Sequence, residues 1–273
     1  PAQAQPRAFS SPTGGFHVLR GAGAVVTMIA GPQGQRGAGG HSHNDKLSFE
    51  LHLGGEPVIV DPGSPVYARD PAQRNAYRST RAHNCVEVDG LEQAEFDPTR
   101  LFALPEGAHA RLDQMEDGPE LARLEASHQG YARIAPGLLV RRALTLDKRS
   151  PALLVEDTVE GEGIRTLRLH LQLPDCLVRV RGPRGEERLR ALELIRGITL
   201  DESAAIELGP REAPRAVILL ETGLEASLED GAYATGYGEV RRAIRVCLSS
   251  ERALPAQLRW MVLFDGRRGP PCA

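Results

Sequence analysis

The sequence predicts an all-β protein, an antiparallel multi-stranded β-sandwich. Three observations predict it. Apolar residues fall in short runs, several of them alternating with polar residues at period two. The 29 glycines and 20 prolines punctuate those runs at fairly even spacing. Helix-period patterning is scarce, which argues for a sandwich and against a helical bundle. A chain of 273 residues is long enough for one large domain, which buries roughly three quarters of the unfolded surface.

Taken in order, residues 1–15 are rich in Pro, Gln, Ser and Gly and read as a linker or disordered lead-in. The β-sandwich domain is expected over 16–273. Phe16–Arg20 and Ala24–Ala30, separated by Gly21-Ala22-Gly23, have the pattern of a β-hairpin. Residues 31–40 form a glycine-rich loop. It lacks the Gly-Lys-Ser/Thr ending of a phosphate loop and no helix follows, so its glycines are expected to serve close backbone approach or tight turning. Leu47–Leu53 alternates cleanly, with Leu47, Phe49, Leu51 and Leu53 on one face and Ser48, Glu50 and His52 on the other. Gly54-Gly55 turns into Pro57–Val60, which ends at Asp61-Pro62-Gly63. Residues 62–82 read as a long irregular loop, and long ordered loops are usually functional or mobile. Further strands are expected at Cys85–Val88, Leu138–Leu146, Ala152–Val159, Ile164–Leu173, Cys176–Val180, Leu192–Leu200, Ala216–Glu221, Val240–Ser249 and Gln257–Phe264. Ser250–Ala253 offers at most a helical turn.

Charge excludes one class of partner. Lys plus Arg total 33 against 36 Asp plus Glu, a net charge of −3. That balance gives no support for a basic nucleic-acid face. A polyanionic ligand would need a local basic patch, for which Arg69, Arg74, Arg78 and Arg81 are candidates; the alternative is a solvated arginine-rich loop. No apolar stretch is long enough to span a membrane. Cys85, Cys176, Cys247 and Cys272 lack Cys-x-x-Cys spacing, so they suggest neither a zinc knuckle nor a disulfide framework, and Cys85 and Cys247 are expected to be buried. The first residue is Pro and no signal peptide is visible, which suggests a processed or truncated chain.

Residues 39–90 concentrate the chemistry: four histidines, four aspartates and two tyrosines among turn-forming residues. His41-Ser42-His43-Asn44-Asp45 opens it. Imidazole is the commonest metal ligand and titrates nearest neutral pH. Asp61 ends one apolar run and His83 begins another, so strands can deliver both to one rim. A His/Asp/His set suits Zn²⁺.

The run G-G-H-x-H-N-D-x-L-S-F-E-L, then V-D-P-G, then R-N-x-Y-R-S-T-x-A-H-N, resembles the heparinase II/III family of polysaccharide lyases, to which many alginate lyases are related. The likeness is close from about Gly39 to Gln93 and weaker beyond. It implies β-elimination at a uronic acid of an acidic polysaccharide. A base must take the C5 proton and an acid must protonate the leaving O4. The likeness further implies His41 and Tyr77 as catalytic residues and Arg74, Arg78 and Asn44 as substrate-binding. It implies His43, Asp61 and His83 as ligands of a structural Zn²⁺; the reverse assignment of His41 and His43 stays open. Asn44, Asp45, Arg78 and Asn84 can also fix ring tautomers and loop geometry from behind. The family normally carries an N-terminal α/α-toroid, which supplies a catalytic tyrosine and an asparagine or histidine. Nothing here resembles it, so the chain reads as the C-terminal half, with the toroid as its expected partner and the site split between them. The resemblance also implies a periplasmic or secreted protein and allows a homodimer. Two alternatives stand beside it. One is a non-catalytic carbohydrate-binding or structural module. The other is a cupin-like metal protein, although Glu50 follows His43 by seven residues, later than that motif requires.

Overall fold

The computed structural model describes residues 8–174, 178–187, 200–209 and 214–265. It is a β-sandwich. The first sheet is a meander of β1 (Phe9–Ser11), β2 (Phe16–Gly21), β3 (Ala24–Ile29), β4 (Phe49–Leu53) and β5 (Glu56–Ile59). A short helix α1 (Pro71–Tyr77) and a 3-10 turn (Thr80–Ala82) lead to β6 (Val86–Val88). The remaining strands are β7 (Arg111–Asp117), β8 (Leu121–His128), β9 (Leu139–Asp147), β10 (Ala152–Glu160), β11 (Ile164–Pro174), β12 (Val178–Arg181), β13 (Leu200–Leu208), β14 (Ala216–Glu221), β15 (Glu225–Gly236), β16 (Glu239–Ala253) and β17 (Ala256–Phe264).

Eight of them form one antiparallel sheet in the order β12-β13-β14-β17-β10-β9-β8-β7, and β15-β16-β11-β6 form another. The amide of Val60, just past β5, donates to the carbonyl of Gln172 in β11 at 3.0 Å. That bond joins the five- and four-stranded sheets edge to edge, opposite the eight-stranded one. Between the layers runs one apolar core, with Leu19, Val26, Phe49, Leu51, Leu124, Leu144, Val155, Leu169, Val246 and Trp260 among its members. Period-two alternation produces it: Leu258, Trp260 and Val262 of β17 point inward, while Met261 and Leu263 join a smaller cluster on the other face.

The expected all-β class holds, with differences that have physical reasons. The 62–82 stretch is not irregular throughout, since α1 starts there. Asp70 accepts a hydrogen bond from the Gln73 amide at 2.9 Å and Pro71 occupies the first helical turn, an N-cap and N1 pair that starts a helix. Ser250–Ala253 is not a helical turn: it extends β16 and pairs with β11. Phe9–Ser11, within the stretch read as a linker, pairs with β2. β7, β8, β13 and β15 were not anticipated: β7 and β15 are edge strands with largely exposed side chains, which removes the alternation, whereas β8 lies inside its sheet and does alternate, but with small Ala122 and Ala126 beside Leu124 at its buried positions. Cys85 and Cys247 are buried free thiols. Cys176, Cys272 and most of the expected strand at 192–200 lie outside the described residues.

Candidate functional site

The site sits where the chain leaves the first sheet and returns to it. Gly39 has φ +60°, and a Cβ there would meet the Leu104 carbonyl oxygen at 2.1 Å. The loop therefore passes where only glycine fits. It delivers His41 to the surface and His43 to the interior. His41 stands edge-on to Tyr67, ring centres 5.5 Å apart at 81°, and 5.9 Å from Phe102. Tyr67 in turn stacks on Tyr237 at 5.8 Å and 29°.

Behind this rim lies a polar cluster in which His43, His83 and Arg74 are buried and Asp61 is partly exposed. The ring centres of His43 and His83 are 5.2 Å apart, and His83 Nδ1 is 2.8 Å from Asp61 Oδ2. The Gly63 amide donates to Asp61 Oδ1 at 2.8 Å. Arg74 Nη1 donates to His43 Nε2 and to Ser64 Oγ, each at 2.9 Å. The three residues expected as a ligand set, His43, Asp61 and His83, thus lie near one another. Burial would raise the Asp61 carboxyl, but the His83 imidazole beside it holds it below its ordinary value. Burial would lower His83, and Asp61 raises it above the ordinary value instead. His43 is pushed down to about 4, by burial first and by His83 next, so it is neutral at pH 7.

These bonds bear on the zinc expectation. Two imidazoles sharing a tetrahedral ion with bonds of about 2.0–2.1 Å place their ring centres about 5 Å apart, close to the spacing seen. His83 Nε2 is buried and lacks a hydrogen-bond partner. A guanidinium has no acceptor, however, so the bond from Arg74 fixes the His43 lone pair on Nε2 and the proton on Nδ1. As the side chains stand, no group of three or more His, Cys, Asp and Glu among the described residues is placed to hold a metal. The donor set suits zinc; its hydrogen bonding would have to open at Arg74 to admit one.

The other expected site residues have varied surroundings. Arg78 is fully buried. It donates to Asn75 Oδ1 at 2.9 Å and to the carbonyls of Ala103 at 2.9 Å, Leu101 and Asp97 at 3.3 Å, and Arg100 at 3.4 Å. It therefore holds the 97–103 loop in shape and has no donor left for a glycan. Asn44 is likewise enclosed, bonded to Glu92 Oε2 at 2.8 Å and to both backbone groups of Ala94. Both act as internal braces, in place of the expected contact with substrate. Arg74 is buried too, lies 5.3 Å from the Tyr67 ring centre, and leaves Nε and Nη2 unpartnered. Tyr77 lies apart from the His41 rings, lining a separate cavity with Gln172 and Arg245, and burial raises its hydroxyl. Of the four arginines considered as a basic patch, Arg81 is paired with Glu229 at 3.4 Å and Arg69 is exposed.

Tyr67, Phe102, Tyr237 and Arg142 were not anticipated. Tyr67, rather than Tyr77, is the ring against His41. Tyr237 comes from 170 residues downstream, and no local signal could have found it. Arg142 of β9 sits opposite Asp157 of β10, inside the core. It binds both Asp157 oxygens, at 2.7 and 2.9 Å, and donates to the carbonyls of Leu47 at 2.8 Å and Asn84 at 2.5 Å. Leu47 has φ +63°, a costly conformation for leucine, and Asn84 follows His83. One buried guanidinium thus ties the large sheet to both histidine-bearing segments. The available signal was that Arg142, unlike its neighbour Arg141, falls in step with Val140, Leu144 and Leu146 on the buried face of β9.

A family model for the heparinase II/III-like C-terminal domain matches residues 3–261. No curated protein matches the chain. Among solved structures, the heparan sulfate lyase HepC from Pedobacter heparinus is similar with a TM-score of 0.70 and 20% identity, over 98% of this chain and 38% of that one. The heparinase III that is the BT4657 gene product gives 0.69 and 19%, over 96% and 36%. The chain thus spans little more than a third of the length of these proteins, and at such identities the likeness establishes the fold alone. From the match over nearly its whole length, the chain belongs to the heparinase II/III-like C-terminal domain family.

Proposed function

We propose that this chain is the β-sandwich part of a polysaccharide lyase that cleaves an acidic glycan by β-elimination at a uronic acid. The observation that carries this is the exposed His41 standing edge-on to the half-buried Tyr67, set against a polar cluster behind them, in a domain of this family. His41 takes the C5 proton. The electron pair released forms the C4=C5 double bond, the C4–O4 bond breaks, and the departing O4 takes a proton from the Tyr67 hydroxyl. A proton α to a carboxylate is weakly acidic, so developing negative charge must be stabilised. Arg74 supplies a fixed positive charge behind Tyr67 without itself reaching the surface. Tyr67 replaces Tyr77 in this scheme because its ring faces His41. His43, Asp61 and His83 would hold a zinc ion once Arg74 gives up its bond to His43 Nε2, its charge staying beside Tyr67; the ion's contribution would be to brace the loops, and no step passes through it.

In the full-length protein, His41→Ala should lower turnover of a uronate polymer about 10²–10⁴-fold, read as ultraviolet absorbance of the unsaturated product, with the melting temperature unchanged. Equal activity would remove His41 from the mechanism. Binding of uronate polymers without any unsaturated product would replace the lyase by a carbohydrate-binding module.

A further inference from the structure

We infer that the tip of the β15–β16 hairpin, with Arg69, forms a second binding site beside the His41 rim that holds an acidic sugar further along the same glycan. The inference rests on the lyase reading above and adds a place and a chemistry to its substrate. Tyr237 sits in the hairpin turn and is 66% exposed, a large ring held in water. The tip is not loose. The Gly238 amide donates to the Pro65 carbonyl and the Ala234 amide to the Pro62 carbonyl, each at 2.8 Å. The hairpin is also seated closely on the 62–65 loop, where a Cβ at Gly63 would meet the Ala234 carbonyl oxygen at 2.9 Å.

Between this tip and the start of α1 lies a groove of about 380 Å³, lined by Pro65, Val66, Arg69, Gln73, Tyr237 and Val240 among others. It adjoins the candidate site: Tyr237 in its lining stacks on Tyr67 at 5.8 Å, and Tyr67 stands 5.5 Å from His41. That is the reach of a short oligosaccharide. The lining supplies both halves of an acidic pyranose contact. An aromatic face offers the apolar, weakly negative surface on which the C–H face of a sugar ring packs. Arg69 offers a guanidinium for a carboxylate or sulfate. Arg74 and Arg78 are buried and Arg81 is paired with Glu229, so of this arginine-rich stretch only Arg69 presents a free cation to the groove. The only carboxylate in the lining, Asp70, uses Oδ1 to cap α1. A neutral glycan would find the ring but not the charge; an acidic peptide would find the charge but has no C–H face to lay on Tyr237.

The test uses the full-length protein and uronate oligosaccharides of increasing length. In Tyr237→Ala, KM for the long oligosaccharides should rise about tenfold, a loss of the size expected for one aromatic contact. The rise should shrink for oligosaccharides too short to reach the groove, and Tyr237→Phe should restore most of it. Arg69→Ala should raise KM about two- to fivefold, as an exposed ion pair allows, and its effect should fade at high salt. Calorimetric titration with a non-cleavable oligosaccharide should show the same losses in Kd. Full elimination by wild type with KM and Kd unchanged in both variants would overturn the inference and leave the lyase intact. Oligosaccharide binding that depends on Tyr237 without elimination would overturn the lyase and leave the second site. A Tyr237→Ala variant that loses thermal stability equally with and without oligosaccharide, at unchanged Kd, would make the tip a packing contact and also overturn it.

Discussion

Arg142→Leu should be the most damaging single substitution that leaves every surface of the site untouched. The change leaves Asp157, which is 1% exposed, ionisable and alone in the core. Removing one partner of a buried pair costs about 3–5 kcal/mol. It also strips the Leu47 and Asn84 carbonyls of their donor, at about 1–3 kcal/mol per unsatisfied group. These losses overlap, so about 4–6 kcal/mol is expected, a large part of the 5–15 kcal/mol that holds a typical domain together. The double variant Arg142→Leu/Asp157→Leu separates the parts. An apolar pair of similar volume can replace a buried ion pair at little cost, but it cannot donate to the two carbonyls. The double variant should therefore recover the ion-pair part of the loss and stay about 2 kcal/mol or more below wild type, at least about 1 kcal/mol for each of the two carbonyls. Urea unfolding at unchanged slope measures both. A single substitution costing under about 1 kcal/mol, or a double variant as stable as wild type, would refute the view that Arg142 ties the sheets to the loops.

Acidity and metal give two further expectations. His128 is pushed down to about 3, by burial first and then by Lys46 and Arg142. It stays neutral when folded, while the unfolded chain takes up the proton near 6.5. Its contribution is therefore complete above about pH 6.5 and lost as pH falls toward 3, at up to about 1.4 kcal/mol per pH unit. His128→Gln should flatten the urea midpoint across that window; parallel profiles would refute this. Elemental analysis should find about one zinc per chain, and chelation should lower the melting temperature in wild type but not in His83→Ala. Metal-free protein whose melting ignores chelators would remove zinc from the cluster.

The fold was legible where large apolar residues line one face of a strand that meets the core; β8, whose core face is Ala122, Leu124 and Ala126, was missed. Leu47–Leu53 and Gln257–Phe264 alternate because Phe49 and Trp260 pack against each other across the layers, ring centres 6.0 Å apart. Edge strands such as β7 carry no such stripe, since solvent accepts any side chain there. α1 was legible in principle through Asp70-Pro71, but seven residues are too few to show helical periodicity. The polar cluster was legible as a resemblance, because His43, Asp61 and His83 each fall in one of three closely spaced motif runs between Gly39 and Asn84. The aromatic rim was not. Tyr67 and Tyr77 look alike in sequence, ten residues apart on either side of α1's start, and only the fold tells which one faces His41. Tyr237 and Phe102 reach the rim through pairings that no local pattern encodes.

The two halves of the site are built by different physics. His43, Asp61 and His83 are fixed from behind by Asn44, Asn84 and Arg142, whose hydrogen bonds go to backbone carbonyls of three separate segments. Such satisfied buried networks resist motion because each unmade bond is costly. His41, Phe102 and Tyr237 instead project from that base into water, with Phe102 47% exposed. A contiguous exposed aromatic patch on a rigid base is a surface made for contact. It supplies one wall only. Elimination at a uronate needs its reacting carboxylate removed from water so that fixed charges act at full strength. On the proposed mechanism, then, this chain alone should bind acidic oligosaccharide yet turn it over poorly, and supplying the rest of the full-length protein should raise turnover far more than affinity.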